Sequence, residues 1–218
     1  MAQVEGYEFT LSGVRLTALA SGALWCKQAR LLTFSDLHLG RSERIARLGG
    51  TLLPPYEVQD TLLRLDADIA SCNPRVVVCL GDSFDDVAAA ELADGPLLWL
   101  SRLMAGRRWV WIAGNHDPAP VALAGEHRKE LAVGPLVFRH IAEPGSQGEV
   151  SGHYHPKLKL SGQALSCFLA DSARVIMPAY GTYTGGMAAR DPVIAALFGP
   201  DALAILTGNL ARPVPLFP

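Results

Sequence analysis

Five short apolar segments of this chain each lead directly into side chains that can bind a metal ion, and five of the six histidines lie at these positions. The donors are carboxylate, amide and imidazole groups with no thiolate among them. This mixture suits Mn²⁺, iron or Zn²⁺ better than Ca²⁺. The candidate ligands are Asp36, His38, Asp82, Asn115, His140, His153 and His155.

The spacing of these residues indicates how they could share two ions. Asp36 and His38 are two residues apart, as are His153 and His155, and in extended backbone such pairs project to the same face. Asp82 follows a glycine, which permits a sharp turn, and a carboxylate there can offer one oxygen to each of two metals. Two ions about 3.5–4 Å apart are an established arrangement for phosphoryl chemistry. The sequence therefore predicts a two-metal site for hydrolysis.

Each motif taken alone has a more ordinary interpretation. A histidine on an apolar strand, such as His140, is more commonly part of a core, and an Asp-x-His pair recurs by chance on surfaces. The sequence Gly-Asn-His-Asp at Gly114–Asp117, directly after an apolar segment, is more specific. All five elements together favour a functional site, because independent coincidences multiply. His127 lies outside them, and we expect it at a solvated helix position.

The apolar pattern predicts the elements that must position these residues. Residues 30–36 form a continuous apolar run, typical of a strand buried on both faces. Apolar positions every three or four residues predict an amphipathic helix over 57–72, which Asn73-Pro74 ends. We further expect a strand or hairpin at 7–20 and strands at 75–80, 108–113, 136–140, 147–151, within 164–177 and at 202–206. Two more helices are expected at 91–105 and 119–132. A polar connection is expected at 41–55 and a loop at 179–186.

Strands alternate with helices in the first half of the chain and dominate the second half. This order predicts an α/β sandwich with mixed β-sheets. In open α/β sheets, ligands bind beyond the carboxyl ends of the strands, which is where the candidate metal ligands lie. A length of 218 residues, half of them hydrophobic, fits a single domain over residues 1–218.

Charge and cysteine usage predict the cellular setting. The net charge of −2 gives no global attraction to nucleic acid or membranes, and we interpret the arginine clusters at 41–47 and 102–108 as solvated faces. The four cysteines contain no Cys-x-x-Cys pair, which favours reduced thiols. The first residues lack the pattern of a signal peptide, and no apolar run is long enough to span a bilayer. We therefore expect a cytoplasmic protein without membrane contact.

In its ordered motifs the chain resembles the calcineurin-like metallophosphoesterase family. The matching motifs are Asp-x-His at Asp36–His38, Gly-Asp at Gly81–Asp82, Gly-Asn-His-Asp at Gly114–Asp117, an isolated His140 and Gly-His-x-His at Gly152–His155. The longer strings SDLHLGR, LGDSFDD, GHYHP and PAYGTYTGG are similar to the bacterial ligase-associated subfamily, described as a DNA damage response endonuclease or phosphodiesterase. The resemblance implies a sandwich of two mixed β-sheets flanked by helices.

The resemblance also implies a role for each motif residue. One divalent ion would be held by Asp36, His38, Asp82 and His155, and a second by Asp82, Asn115, His140 and His153. His116 would face the substrate as general acid or transition-state stabiliser, and Asp117 would orient it. Mn²⁺ is the expected metal, with iron and Zn²⁺ as alternatives.

The hypothesis for function is a phosphodiesterase, in particular a nuclease linked to DNA repair and associated with a DNA ligase and a helicase. A hydroxide shared by the two metals would attack the phosphorus in line. Arg41, Asp85 and Tyr183 are candidate substrate contacts; a surface cation and a structural loop are the alternatives for Arg41 and Tyr183. Asp85 stands where related sequences often carry histidine.

Three other functions stay open at this level. A phosphomonoesterase or a nucleotide-lipid pyrophosphatase of the same family would use the same centre. The pyrophosphatase would also require an apolar lid or a membrane-surface helix. A non-catalytic scaffold would be expected to have lost His116 or some of the ligands, and this sequence keeps all of them.

Overall fold

Two β-sheets pack against each other in the computed structural model, which describes residues 5–50, 53–54, 56–86, 92–117 and 123–217. Within these ranges the first sheet has seven strands, adjacent in space in chain order. They are β1 (Gly6–Leu11), β2 (Val14–Leu19), β3 (Leu24–Cys26), β4 (Leu31–Phe34), β5 (Val76–Leu80), β6 (Arg108–Ile112) and β7 (Glu126–Arg128). Strands β1 to β4 pair antiparallel and β4 to β7 pair parallel, so β4, β5 and β6 all end at one edge.

The second sheet has eight strands in the same part of the chain. They are β8 (Glu130–Val133), β9 (Leu136–Arg139), β10 (Glu149–Ser151), β11 (Lys157–Leu160), β12 (Gln163–Ala170), β13 (Arg174–Ile176), β14 (Leu203–Leu206) and β15 (Arg212–Pro215). The spatial order is β15-β14-β12-β13-β10-β9-β8, with β11 paired to β12. Strand β10 is parallel to both β9 and β13, and the remaining pairs are antiparallel. Two mixed sheets were expected and are confirmed.

Four helices accompany the sheets within the described ranges: α1 (Arg41–Arg47), α2 (Glu57–Cys72), α3 (Asp94–Met104) and α4 (Pro192–Ala195). Helix α2 packs Leu62, Leu65 and Ile69 into a core that it shares with α3 and the first sheet. It ends at Asn73, whose left-handed backbone caps the last turn before a proline. The helix predicted over 57–72 is confirmed over its whole length.

The central strands are apolar along their length because both of their faces are covered. On β5, Val77 and Cys79 belong to the core formed with α2 and α3, whereas Val78 and Leu80 belong to the core between the two sheets. Fully burying an aliphatic side chain contributes roughly 1.5–3 kcal/mol. This packing fixes the points at which the strands lead into the candidate site.

The segment after β6 differs from the helix predicted over 119–132. Residues 118–122 lie outside the described part of the chain, and the following residues form β7 and β8. Strand β7 pairs in parallel with β6, and this ladder outweighs the local helical pattern. His127 is thus a partly buried strand residue, and its predicted place on a solvated helix is wrong.

Two further segments differ from the sequence prediction. Helix α1 forms within 41–55, where the composition predicts only a polar connection, and residues 51, 52 and 55 of that segment lie outside the described ranges. Strand β15 follows the strand at 202–206 that the pattern presents as the last one. It pairs antiparallel with β14 and so extends the second sheet.

No helix in the described ranges is long and apolar enough to cross a membrane. One cluster of buried side chains includes residues of both sheets. That residues 1–218 form a single domain stays a prediction.

A buried ion pair fastens the second sheet at the start of β10 and β13. Arg174 Nη1 lies 3.2 Å from Glu149 Oε1, and both side chains are almost fully buried. Arg174→Ala would remove the nearest cation from this carboxylate and leave it, within the described ranges, only the backbone N–H of Glu143 and the guanidinium of Arg139 at 3.8 Å. The free energy of unfolding should therefore fall by about 3 kcal/mol, the lower end for a broken buried pair. Urea unfolding followed by circular dichroism measures this. Arg108→Ala, which breaks an exposed pair with Glu126, is the control and should have little effect. Equal effects of the two substitutions would contradict the assignment.

Candidate metal centre

The candidate ligands lie at the carboxyl ends of five strands, three from the first sheet and two from the second. Asp36 and His38 follow β4, Asp82 follows β5, Asn115 follows β6, His140 follows β9, and His153 and His155 follow β10. The backbone N–H of His38 donates to Asp82 O at 2.9 Å, which links two loops of the first sheet. The backbone N–H of His153 donates to Asp36 Oδ2 at 3.0 Å, which links the loops of the two sheets.

Five candidate ligands have left-handed backbone, although the spacing of Asp36 and His38 and of His153 and His155 predicts extended backbone for these four. The φ angles are 52° at Asp36, 46° at His38, 44° at Asp82, 71° at His153 and 47° at His155. Residues other than glycine adopt this region rarely, at a cost of order 1–3 kcal/mol each. The argument from extended backbone is therefore wrong in its local geometry. Asp36 and His38 do converge, whereas His153 and His155 belong to different groups of donors. Strain concentrated at such positions is typical of a functional site.

Two glycines allow the loops to approach this closely. A Cβ atom on Gly114 would overlap the carboxylate of Asp82. A Cβ atom on Gly81 would overlap the imidazole of His140, and Gly81 also has a positive φ of 70°. The glycines of the sequence motifs thus make room for the neighbouring polar side chains.

Asp36, His38 and His155 form the first group of donors. One donor atom of each lies within 4.8 Å of the other two, and Asp36 and His38 are almost fully buried. Nε2 of His155 is 3.1 Å from Asp36 Oδ1 without the geometry of a hydrogen bond. The Nε2 atoms of both histidines are buried and have no hydrogen-bonding partner among the described residues. Buried polar atoms normally have a hydrogen-bonding partner. A cation bound in this group would serve as the partner of both nitrogen atoms.

Asp82, His140 and His153 form the second group, with the Asn115 amide beside it. His140 Nδ1 lies 2.9 Å from Leu80 O, so Nδ1 carries a proton, and in the neutral ring Nε2 presents its lone pair. That Nε2 is 2.9 Å from Asn115 Oδ1, 3.4 Å from Asp82 Oδ2 and 3.2 Å from His153 Nδ1. Acceptor atoms thus converge on one point, and a divalent ion bound there would satisfy all of them.

The surroundings of the two carboxylates favour their ionised forms. Burial alone would raise the pKa of Asp82, but His140 and the backbone N–H of His116, 2.8 Å from Asp82 Oδ1, hold it well below its ordinary value. Burial is likewise outweighed at Asp36, where His155 and His140 lower the pKa. In turn, Asp82 and Asp36 outweigh burial at His140 and raise its pKa to about 8. The space between the carboxylates of Asp36 and Asp82 therefore favours positive charge, which a divalent ion bound there would supply.

His116 lies beside the first group, with its ring centroid 5.2 Å from that of His38. Its Nδ1 donates to the backbone carbonyl of Asp85 at 2.9 Å, which leaves Nε2 as the nitrogen that can exchange a proton with a substrate. The orientation of this ring by Asp117, which the resemblance implies, stays a prediction. The Asp117 carboxylate accepts from the backbone N–H groups of Ser83, Phe84 and Gly114. Asp117 therefore fixes the loops, and the Asp85 carbonyl holds the imidazole.

Asp85 is fully buried and has partners on both carboxylate oxygens. Oδ1 lies 2.8 Å from His38 Nδ1 and 2.9 Å from Arg41 Nη1, and Oδ2 lies 3.1 Å from Arg44 Nη1. Asp85 also forms a third group of donors with His38 and His116. Two guanidinium groups already neutralise this carboxylate, so a metal ion is disfavoured there. The proposed contacts of Asp85 and Arg41 with substrate stay predictions.

Sequence reasoning misses Arg44, which the pattern assigns to a solvated cluster. The signal that could have found it is the spacing of three between Arg41, Arg44 and Arg47, which places them near one face of α1. Because α1 is not predicted from the sequence, this spacing has no structural meaning until the helix is known.

Tyr183 lies in a loop that rests on the first group of donors. The backbone N–H groups of Tyr180 and Gly181 in this loop donate to Ser35 O and Asp36 O. Tyr180 is buried, as a structural residue would be, whereas Tyr183 is partly exposed and has a positive φ of 63°. Contact of Tyr183 with a substrate stays a prediction.

Comparison with protein families agrees with this geometry. The family model described as calcineurin-like phosphoesterase matches residues 29–170, a range that contains every candidate ligand and His116. The chain belongs to the calcineurin-like phosphoesterase family. It is accordingly a metal-dependent hydrolase of phosphoric esters, as the sequence predicts.

Among solved structures, the crystal structure of the Pseudomonas putida nuclease MPE is similar to this chain. The TM-score is 0.76 and the sequence identity 27%, and the match covers 95% of this chain and 99% of that one. The likeness thus includes both sheets and the loops between them. A search of proteins with curated descriptions finds no significant match.

Gly114→Ala tests whether the close approach of the loops serves metal binding. The added methyl group would displace the Asp82 carboxylate, so affinity for Mn²⁺ should fall about 10- to 100-fold, as for other changes around a metal site. Isothermal titration with Mn²⁺ measures the affinity. Gly199→Ala is the matched control, because no atom lies within 4 Å of a Cβ at that position. Wild-type affinity in a folded Gly114→Ala protein would show that this close approach is not needed for metal binding.

Proposed function

We propose that this chain is a phosphodiesterase that uses two divalent metal ions and acts as a nuclease in DNA repair. The observation that carries the proposal is the presence of two groups of oxygen and nitrogen donors with the imidazole of His116 beside them. The proposed ligands are Asp36, His38, Asp82 and His155 for the first ion and Asp82, Asn115, His140 and His153 for the second. In this assignment Asp82 is shared between the ions.

The donor set supports Mn²⁺ as the metal, with iron or Zn²⁺ as alternatives. It consists of carboxylate, amide and imidazole groups, and the four cysteines are buried and free elsewhere in the fold. Two bound ions would supply Lewis acidity, which acidifies water and withdraws charge from the phosphoryl group. Asn115 and the imidazoles are neutral ligands and leave most of the ionic charge available for this purpose.

His116 is the proposed general acid. Its Nδ1–H stays bonded to the Asp85 carbonyl, so the proton that can be transferred is the one on Nε2 of the imidazolium. Donation of this proton to the departing oxygen would neutralise the alkoxide that forms when the P–O bond breaks. The backbone N–H of His116 also donates to Asp82 Oδ1, which fixes the ring relative to the second group.

The likeness to a nuclease supports a nucleic acid as the substrate. The resemblance of the motif strings to the ligase-associated subfamily supports a role in DNA repair, with a DNA ligase and a helicase as functional partners. The buried, unpaired cysteines support a cytoplasmic location, where thiols stay reduced.

Hydrolysis of chromogenic esters in the presence of Mn²⁺ tests the proposal. We expect kcat/KM for bis-p-nitrophenyl phosphate to exceed that for the monoester. His116→Ala should bind Mn²⁺ as the wild type does and lower kcat on the diester by about 10²–10⁴, the usual contribution of a general acid.

His127→Ala is the matched control for the loss of an imidazole, because His127 lies on β7 outside both donor groups. A preference for the monoester would favour a phosphomonoesterase. Absence of turnover with every divalent metal would favour a non-catalytic scaffold.

A further inference from the structure

The carboxylate of Asp85 joins two loops of the centre. It accepts from His38 Nδ1, so His38 carries its proton there and presents the lone pair of Nε2 to the first group of donors. The backbone of Asp85 accepts from His116 Nδ1 and donates its own N–H to Leu39 O. Residue 85 is thus fixed between the loop after β4 and the loop after β6.

Asp85 also holds two guanidinium groups beside the centre. Arg41 and Arg44 reach it from α1 while 25% and 32% of their side chains stay exposed. Oδ1 of the carboxylate accepts from His38 and Arg41 and Oδ2 accepts from Arg44, so both oxygens are occupied and both arginines are held by the same buried group.

The arginines retain hydrogen-bonding capacity after these pairings. Among the described residues, Arg41 and Arg44 contact the Asp85 carboxylate, and Arg44 and Arg47 contact that of Asp86. A guanidinium has five N–H donors, and each contact with Asp85 uses one of them. Because Arg41 and Arg44 are partly exposed, further donors can meet an anion that arrives from solution.

We propose that Arg41 and Arg44, held in place by Asp85, bind a second phosphate of the substrate next to the one that is cleaved. The inference rests on the proposed function and narrows its substrate class to polynucleotides, in which one phosphate follows another along the backbone. Its position beside the reacting bond follows from Asp85, which contacts both His38 and His116. A small diester has one phosphate and cannot fill this subsite and the reacting position at the same time.

Binding of a fluorescent single-stranded oligonucleotide to the Mn²⁺-loaded protein tests the subsite, with His116→Ala present in every variant to suppress cleavage. Arg41→Gln and Arg44→Gln should each weaken binding by about threefold to tenfold and should lower the salt dependence by the equivalent of about one phosphate contact. Arg108→Gln is the matched control. It removes the same charge at the start of β6, away from the loops of the centre, and should change neither quantity. Unchanged affinity and salt dependence when Arg44→Gln is added, or no binding by the parent His116→Ala protein, would overturn the proposal.

Asp85→Asn distinguishes the role of Asp85 in positioning the two arginines from the effect of its negative charge. The substitution removes a negative charge at nearly constant volume, so charge alone predicts tighter binding of the oligonucleotide. Loss of the carboxylate that holds both guanidinium groups predicts the opposite, a weakening of about threefold or more. Tighter binding would show that the arginines act without Asp85 and would overturn its part in the proposal.

Kinetics distinguish failure of the subsite from failure of the proposed function. In the Mn²⁺-loaded enzyme, Arg44→Gln should lower the ratio of kcat/KM for the oligonucleotide to that for bis-p-nitrophenyl phosphate, mainly through KM. An unchanged ratio would overturn the subsite and leave the phosphodiesterase intact. A wild type that cleaves no phosphodiester would refute the function, whereas the binding experiment would still decide whether the subsite exists.

Discussion

The structure depends on lone pairs that face one another at the junction of two sheets. Carboxylates and imidazole nitrogens from both sheets converge there, and acceptors brought together in a buried space repel unless positive charge or donors lie between them. The backbone N–H groups of His116 and His153 supply part of the compensation at Asp82 and Asp36. Two divalent ions would supply the rest. The loops would then be held together by the ions as well as by the protein, which explains why so many donors meet in one place.

Hydrophobic packing offsets the free-energy cost of bringing these acceptors together. Strands β4, β5 and β6 are buried on both faces, and each buried aliphatic side chain contributes roughly 1.5–3 kcal/mol, so the strands hold the starting points of the loops. The loops then reach the centre through left-handed backbone at residues such as Asp36 and Asp82, at a cost of about 1–3 kcal/mol per residue. Asp85 extends the same arrangement outward, because one buried carboxylate fixes His38 and also the two arginines on α1. The metal site and the charged surface beside it are therefore parts of one network.

Much of the fold and most of the candidate ligand set follow from the sequence. Helix α2 is predictable because its buried face repeats with the helical period, and strands β5 and β6 are predictable because they are continuous apolar runs buried on both faces. The ligand set is predictable because its residue types and order are specific to one kind of chemistry. Helix α1 is not predictable in this way, since it has no buried residue and its arginines pair with Asp85 and Asp86, which lie far along the chain. Strand β7 depends on the edge of β6, and the left-handed loops depend on closure of the two sheets, so neither has a local signal.

The central claim is that two metal ions share Asp82 at the junction of the sheets. Anomalous diffraction from crystals grown with Mn²⁺, recorded on both sides of the manganese absorption edge, tests this most directly. The account predicts two peaks about 3.5–4 Å apart, with the Asp82 carboxylate in contact with both. A single peak, or two peaks of which only one touches Asp82, would contradict it.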